Sequence, residues 1–191
     1  MVKRNKSESK MIRNKKKNSV RLVEVNRMRK SKLEYTIPNC TPNQLIKLLK
    51  ALKDGAANPQ LVDALVGDRD AHHQRRMAMR FALVVKTKDQ YYLTDLGKQI
   101  VSLYGSGEFS QVFREKCIPS VPLLRDMQRV VKSRKRMTRE EFQKIIKDLV
   151  KPDPEWSPAT TNQYTNLAIG YLKLGGAIEY DKKQKLVKYV L

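Results

Sequence analysis

From Thr41 to Leu191 the chain alternates between stretches whose apolar residues recur every three or four positions and shorter apolar stretches, with Gly or Pro at the joints. Leu45, Leu48, Leu49 and Leu52 follow Thr41 and Pro42, a capping residue and a first-turn proline. That spacing predicts an amphipathic helix stopped by Gly55. Asn58-Pro59 opens a shorter helix holding Leu61, Val62, Leu65 and Val66 and closed by Gly67, and a third runs from near Arg69 to about Leu83. Val84-Val85-Lys86, a polar turn Thr87 to Gln90 and Tyr91-Tyr92-Leu93 predict a β-hairpin. Thr94 then caps a return helix, Asp95 to Tyr104, ended by Gly105 and Gly107.

The order repeats. Pro122 to Lys132 is periodic in Leu123, Leu124, Met127, Val130 and Val131, and a basic loop Ser133 to Arg136 separates it from a helix capped by Thr138 that carries Phe142, Ile145, Ile146 and Leu149. Ser157-Pro158 starts a third helix that reaches Leu174 before Gly175-Gly176, and Ala177 to Tyr180, Asp181 to Gln184 and Lys185 to Leu191 read as a second hairpin. Between the two lies Glu108 to Pro119, expected as a bridging helix whose Phe109, Val112 and Phe113 pack the modules together. The domain reading is an arm at 1–32, a first module at 41–107, a bridge at 108–121 and a second module at 122–191.

Charge changes this picture. Lys and Arg number 40 against 19 Asp and Glu, a net charge of +21. Residues 1–32 alone carry 13 basic side chains and two acids, so +11 sits in the arm and +10 on the body. The stretch through Ser19, with Lys15, Lys16 and Lys17 at its centre, lacks apolar period and is expected as an extended, partly disordered basic arm. Val20, Leu22, Val23 and Val25 are expected to dock as a short strand or turn. Such blocks gain free energy by releasing counterions from nucleic acid. No apolar run reaches the roughly 18 to 20 residues that span a bilayer, and no signal peptide follows the basic start. The expectation is an intracellular protein, cytoplasmic and nucleoid-associated, or nuclear in a eukaryote. Cys40 and Cys117 read as two buried thiols.

At Tyr91-Tyr92-Leu93-Thr94-Asp95-Leu96-Gly97-Lys98 an aromatic strand ends in Leu-Thr and leads into a helix containing Gly. This resembles the wing-to-helix junction of the winged helix-turn-helix DNA-binding superfamily, over Thr41 to Tyr104 and more loosely over Pro122 to Leu191. The second module departs by ending at its hairpin, and the first by showing Leu83-Val84-Val85 where a Leu-Gly-Leu junction is usual; the second supplies that junction as Leu174-Gly175-Gly176-Ala177-Ile178. The resemblance implies a mainly α fold with small β-hairpin wings, two tandem winged helices, in which each third helix enters a major groove and each wing touches the neighbouring backbone.

Aligning Met77 to Ala82 with Leu167 to Leu172 sets the third helices in register. At about 100° per residue, Ala71, Gln74, Ala78, Phe81 and Ala82 share one side of the first, and Arg69, His73, Arg76 and Arg80 the other, with His72 at its flank. The second presents Asn162, Gln163, Asn166 and Gly170, flanked by Thr160 and Thr165. These are the candidate base readers: amides suit the adenine edge and Arg suits guanine, while Gly170 would admit the backbone closely. Lys86 and Lys88 on one wing, Lys182, Lys183 and Lys185 on the other, and Arg134, Lys135 and Arg136 are the candidate phosphate contacts, joined by the arm lysines.

Catalytic and metal chemistry finds no constellation. His72 and His73 are adjacent, so their side chains are expected to diverge by about 100° with no third ligand. Glu140-Glu141 fall in a first helical turn, where negative charge complements the helix dipole, and Asp153-Pro154-Glu155-Trp156 reads as a turn with a partly buried aromatic. No phosphate-binding glycine motif occurs. The expectation is a binding protein without cofactor, catalytic residue or membrane contact, whose partner is double-stranded DNA. Its two unlike faces suit an asymmetric site read by a monomer. The alternatives are a non-catalytic recognition subunit in a larger restriction or replication assembly, an RNA-binding protein, and a partner-binding module.

Overall fold

The computed structural model describes residues 35–190 apart from 54, 56, 67–70 and 153. The arm with Lys15, Lys16 and Lys17, the run Val20 to Val25, and Gly67, Arg69 and Asp153 lie outside the described residues.

Helix α1 (Pro42–Ala51) begins at a reciprocal capping box: Thr41 Oγ1 accepts from the Gln44 N–H at 3.3 Å and Gln44 Oε1 accepts from the Thr41 N–H at 2.7 Å. Asn58 Oδ1 accepts from the Leu61 N–H at 2.8 Å and starts α2 (Pro59–Val66). Helix α3 (Ala71–Arg80) ends sooner than the periodicity suggests. Ala82 turns left-handed at φ 56°, and the Leu83 N–H reaches back to the Ala78 carbonyl at 2.9 Å. Such a closure satisfies a terminal carbonyl and stops a helix. The hairpin β1 (Val84–Thr87) and β2 (Gln90–Leu93) closes on only two residues, Lys88 and Asp89, at φ 47° and 59°. Paired positive φ values mark the turn that matches strand twist. Ala57 adds an isolated antiparallel bridge to Tyr91. Helix α4 (Asp95–Leu103) follows the Thr94 cap, and its Gly97 is required by space, since a Cβ there would stand 2.1 Å from the Leu83 carbonyl oxygen.

The bridge is not one helix. Helix α5 (Gly107–Val112) widens into a π-turn, Phe113–Cys117, and then tightens to a 3₁₀ turn, Ile118–Ser120. Pro119 has no N–H to continue an α-helical ladder. Phe109 and Phe113 are buried as expected, and Val112 is half-buried.

Helix α6 (Pro122–Arg134) stops where Lys135 adopts φ 66°. The segment expected as a loop instead holds a strand, β3 (Arg136–Thr138), whose buried Met137 pairs with Val187. A second capping box, Thr138 with Glu141, opens α7 (Arg139–Val150). Helix α8 (Pro158–Leu174) leads to β4 (Ile178–Asp181) and β5 (Leu186–Tyr189), and the antiparallel sheet has the order β3-β5-β4. Both modules therefore run helix, strand or bridge residue, two helices, hairpin. The fold is mainly helical with small antiparallel sheets.

Residues Tyr35–Leu191 form one compact unit with one continuous buried cluster. Phe81 of the first module lies 5.1 Å, centroid to centroid, from both Phe113 of the bridge and Tyr171 of the second module. Residues 35–40 form a strap across the body: Tyr35 donates to Asp126 Oδ2 at 2.8 Å, and Tyr171 donates to the Cys40 carbonyl at 2.7 Å. Cys40 and Cys117 are buried and form no disulfide, and burial pushes the Cys117 thiol up to about 12. Among the described residues, no helix is long and apolar enough to cross a membrane.

Candidate nucleic-acid interface

Helix α8 starts at Ser157, whose hydroxyl accepts from the Thr160 N–H at 3.1 Å, with Pro158 in the first turn. Packing then consumes most of its circumference. Thr161, Thr165, Leu167, Ala168, Ile169, Tyr171 and Leu172 are buried, whereas Asn162, Gln163 and Asn166 are exposed. Two positions depart from expectation. Thr165, placed at the flank of the open face, is fully buried and donates to the Thr161 carbonyl at 2.8 Å. Gly170 does not face open space, because a Cβ there would lie 3.1 Å from Pro42 Cγ on α1. The first module covers the Gly170 end of the face that sequence spacing assigns to a ligand, and leaves Asn162, Gln163 and Asn166 open.

Two of the three exposed amides, Asn162 and Asn166, are held from α7. Arg139 Nη2 donates to Asn166 Oδ1 at 2.9 Å, Gln143 Nε2 donates to Asn162 Oδ1 at 2.7 Å, and Lys147 Nζ meets Glu155 Oε1 at 2.9 Å. These three rungs form a polar ladder from α7 to the first turns of α8 and the loop that precedes it. Arg139, Gln143 and Lys147 recur every four residues, one face of a helix, and that stripe was the available signal for Arg139 and Gln143, which composition alone does not single out. The Arg139 N–H donates to the Lys185 carbonyl at 2.8 Å, so the ladder's first rung adjoins the β4–β5 turn. In that turn Asp181 Oδ1 accepts from the N–H groups of Lys183 at 2.9 Å and Gln184 at 3.0 Å, and Lys182, Lys183 and Lys185 project into solvent.

Arg134, Lys135 and Arg136 are exposed but stand at the other end of β3, where Arg136 pairs with Lys188 and the Lys135 ammonium lies 5.5 Å from the Tyr189 ring centroid. The two basic groups of the second module are thus separate.

Part of the basic surface of α3 is engaged within the protein. The Arg80 guanidinium donates to the Thr36 carbonyl and lies 3.4 Å from Thr36 Oγ1. Arg75 pairs with Asp63 and sits 5.4 Å from the Tyr91 ring centroid. His72 is exposed and His73 half-buried, and their rings approach to 3.8 Å between centroids rather than diverging. Rotation about the side-chain torsions overcomes the 100° offset of their Cα positions. Arg76 remains exposed. Gln74 is completely buried, as its apolar-side position implies, and Ala82, assigned to that side, is exposed beyond the helix end. Burial raises the Tyr164 hydroxyl on α8 against the opposing charges of Arg80 and Arg76. Trp156 packs on Tyr164 at 4.1 Å between centroids, partly buried as expected.

On the first hairpin Lys86 is held by Asp89 at 2.8 Å, which raises the ammonium and lowers the carboxyl through their mutual hydrogen bond. Lys88 is exposed. Glu141 serves as a cap, its Oε2 accepting from the Thr138 N–H at 2.8 Å. Among the described residues no group of three or more His, Cys, Asp or Glu is placed to hold a metal ion. Family models, curated proteins and solved structures contain no match to this chain.

Proposed function

We propose that the protein binds double-stranded DNA and selects its sequence, as a tandem winged-helix reader in which α8 is the principal base-contacting helix. The observation that carries this reading is the face of α8: Asn162, Gln163 and Asn166 are exposed, and α7 orients two of the three amides from behind. Oriented amides on a helix match the hydrogen-bonding pattern of base edges in a major groove. The lysines of the β4–β5 turn adjoin that face, and their mobile charges suit phosphates. The net charge of +21 supplies the long-range attraction.

The role is binding rather than catalysis, with no cofactor. The monomer reads an asymmetric site, because α3 offers Arg76 and His72 where α8 offers amides. Selection of bound duplexes from a random-sequence pool at about 0.15 M salt tests this, since non-specific phosphate binding is weakened there. One asymmetric motif is the expected result. Recovery of no motif, or tighter binding to RNA of equal length, overturns the reading.

A further inference from the structure

The contact between Arg139 and Asn166 has a direction. A guanidinium carries only donors, so the amide atom facing Arg139 Nη2 at 2.9 Å is oxygen. That orientation leaves Nδ2, with both its hydrogens, as the free end of the Asn166 amide, and it has no partner among the described residues. The next rung points the same way, with Gln143 Nε2 donating to Asn162 Oδ1 at 2.7 Å. Asn162 and Asn166 lie one helical turn apart and both commit their oxygens to α7.

We infer that Arg139 is a positioning residue that converts Asn166 into a donor, so that α8 reads an acceptor edge, the N7 and O6 of guanine, and not the adenine edge. The inference rests on the DNA-binding reading and names the base it selects. Pairing an amide with adenine in two bonds requires its oxygen to accept from N6 while its nitrogen donates to N7. Here that oxygen already accepts a charge-assisted bond, the stronger kind. An adenine amino group would have to take the second lone pair of that oxygen, beside the guanidinium, so two donors would share one acceptor and the two-bond pairing with adenine is weakened. Guanine presents only acceptors along that edge, which suits both Nδ2 of Asn166 and the remaining N–H groups of Arg139.

The test compares wild type, Arg139→Ala, Asn166→Asp and Asn166→Ala on duplexes that carry each of the four base pairs at every position of the selected motif, at one salt concentration. Wild type prefers guanine by about tenfold or more at the position that Asn166→Ala relaxes. Arg139→Ala frees the amide to turn, and the preference at that position moves toward adenine. Asn166→Asp keeps an oxygen against Arg139 but turns an oxygen outward, so the preference moves to the cytosine amino group while the melting temperature is unchanged. This second variant keeps the test sound should Arg139→Ala weaken the fold. A wild-type preference for adenine at that position, or an Arg139→Ala protein that loses affinity equally for all four pairs, overturns the inference and leaves DNA reading intact. A wild-type protein that selects no motif overturns both.

Discussion

Helices α3 and α8 hold the same place in two modules of the same element order, yet their polar faces have different fates. Helix α3 is guanidinium-rich, and two of its arginines turn inward: Arg80 binds the strap at Thr36 and Arg75 binds Asp63, while Arg76 stays exposed. The α8 face is amide-rich and opens to solvent, supported from behind by Arg139 and Gln143. A repeated order of elements therefore does not repeat a surface. Long charged side chains fold back onto carbonyls and rings within reach, whereas short amides held by a neighbouring helix stay where the backbone puts them. The first module, through Pro42 and Phe81, and the strap, through Cys40, become the support that buries one side of α8.

The most severe way to break this comparison is Phe81→Ala. The ring is fully buried at the junction of both modules and the bridge, and its loss is expected to cost about 3 to 5 kcal/mol of stability. Trp156, the single tryptophan, reports on the second module. Denaturant unfolding followed by its fluorescence and by circular dichroism should shift together, and a fluorescence transition left at the wild-type midpoint would show that the modules are energetically separate.

Next is the contrast between the two faces themselves. Asn166→Ala should cost about 1 to 3 kcal/mol on the selected site and relax base choice at one position. Arg80→Ala should lower thermal stability by about 1 to 2 kcal/mol, because a carbonyl loses a charged donor, and leave base preference alone. Equal loss of base preference from both changes would mean that α3 reads bases too.

Tyr171→Phe probes the seam more gently. It strips the buried Cys40 carbonyl of its hydroxyl donor, for an expected loss of about 1 to 1.5 kcal/mol in chemical denaturation, with DNA preference retained. A midpoint equal to wild type would show that the strap is held by its apolar residues. The smallest effect belongs to Lys88→Ala on the first hairpin tip, which should weaken all duplexes alike and reduce the logarithmic salt slope by about one, as one lost phosphate contact would. An unchanged slope would place that hairpin away from the backbone.

Much of the fold was legible because it is local. Thr41, Thr138 and Ser157 each cap within three residues of themselves, and the hairpins close over two to four residues. Strand β3 was not legible, since three residues beside a helix gain their identity only from Val187 and its neighbours, far along the chain. The Ala57 bridge to Tyr91 is hidden for the same reason. The exposure of Asn162, Gln163 and Asn166 on the candidate face was legible from helical spacing, because that spacing reports which residues share a face. It does not report what covers the face, and so Gly170 and Arg80 were assigned to a ligand when Pro42 and Thr36 claim them.

The amino-acid sequence by itself determined the helices and hairpins, the buried aliphatic and aromatic residues, and the excess of positive charge, since each follows from interactions over a few residues or from composition. The tertiary structure alone decided that the two modules share one core, that Arg75 and Arg80 of α3 are held within the body, and that Asn166 commits its oxygen to Arg139. Those outcomes depend on contacts between residues distant in the chain, and the direction of a hydrogen bond exists only once both partners are in place.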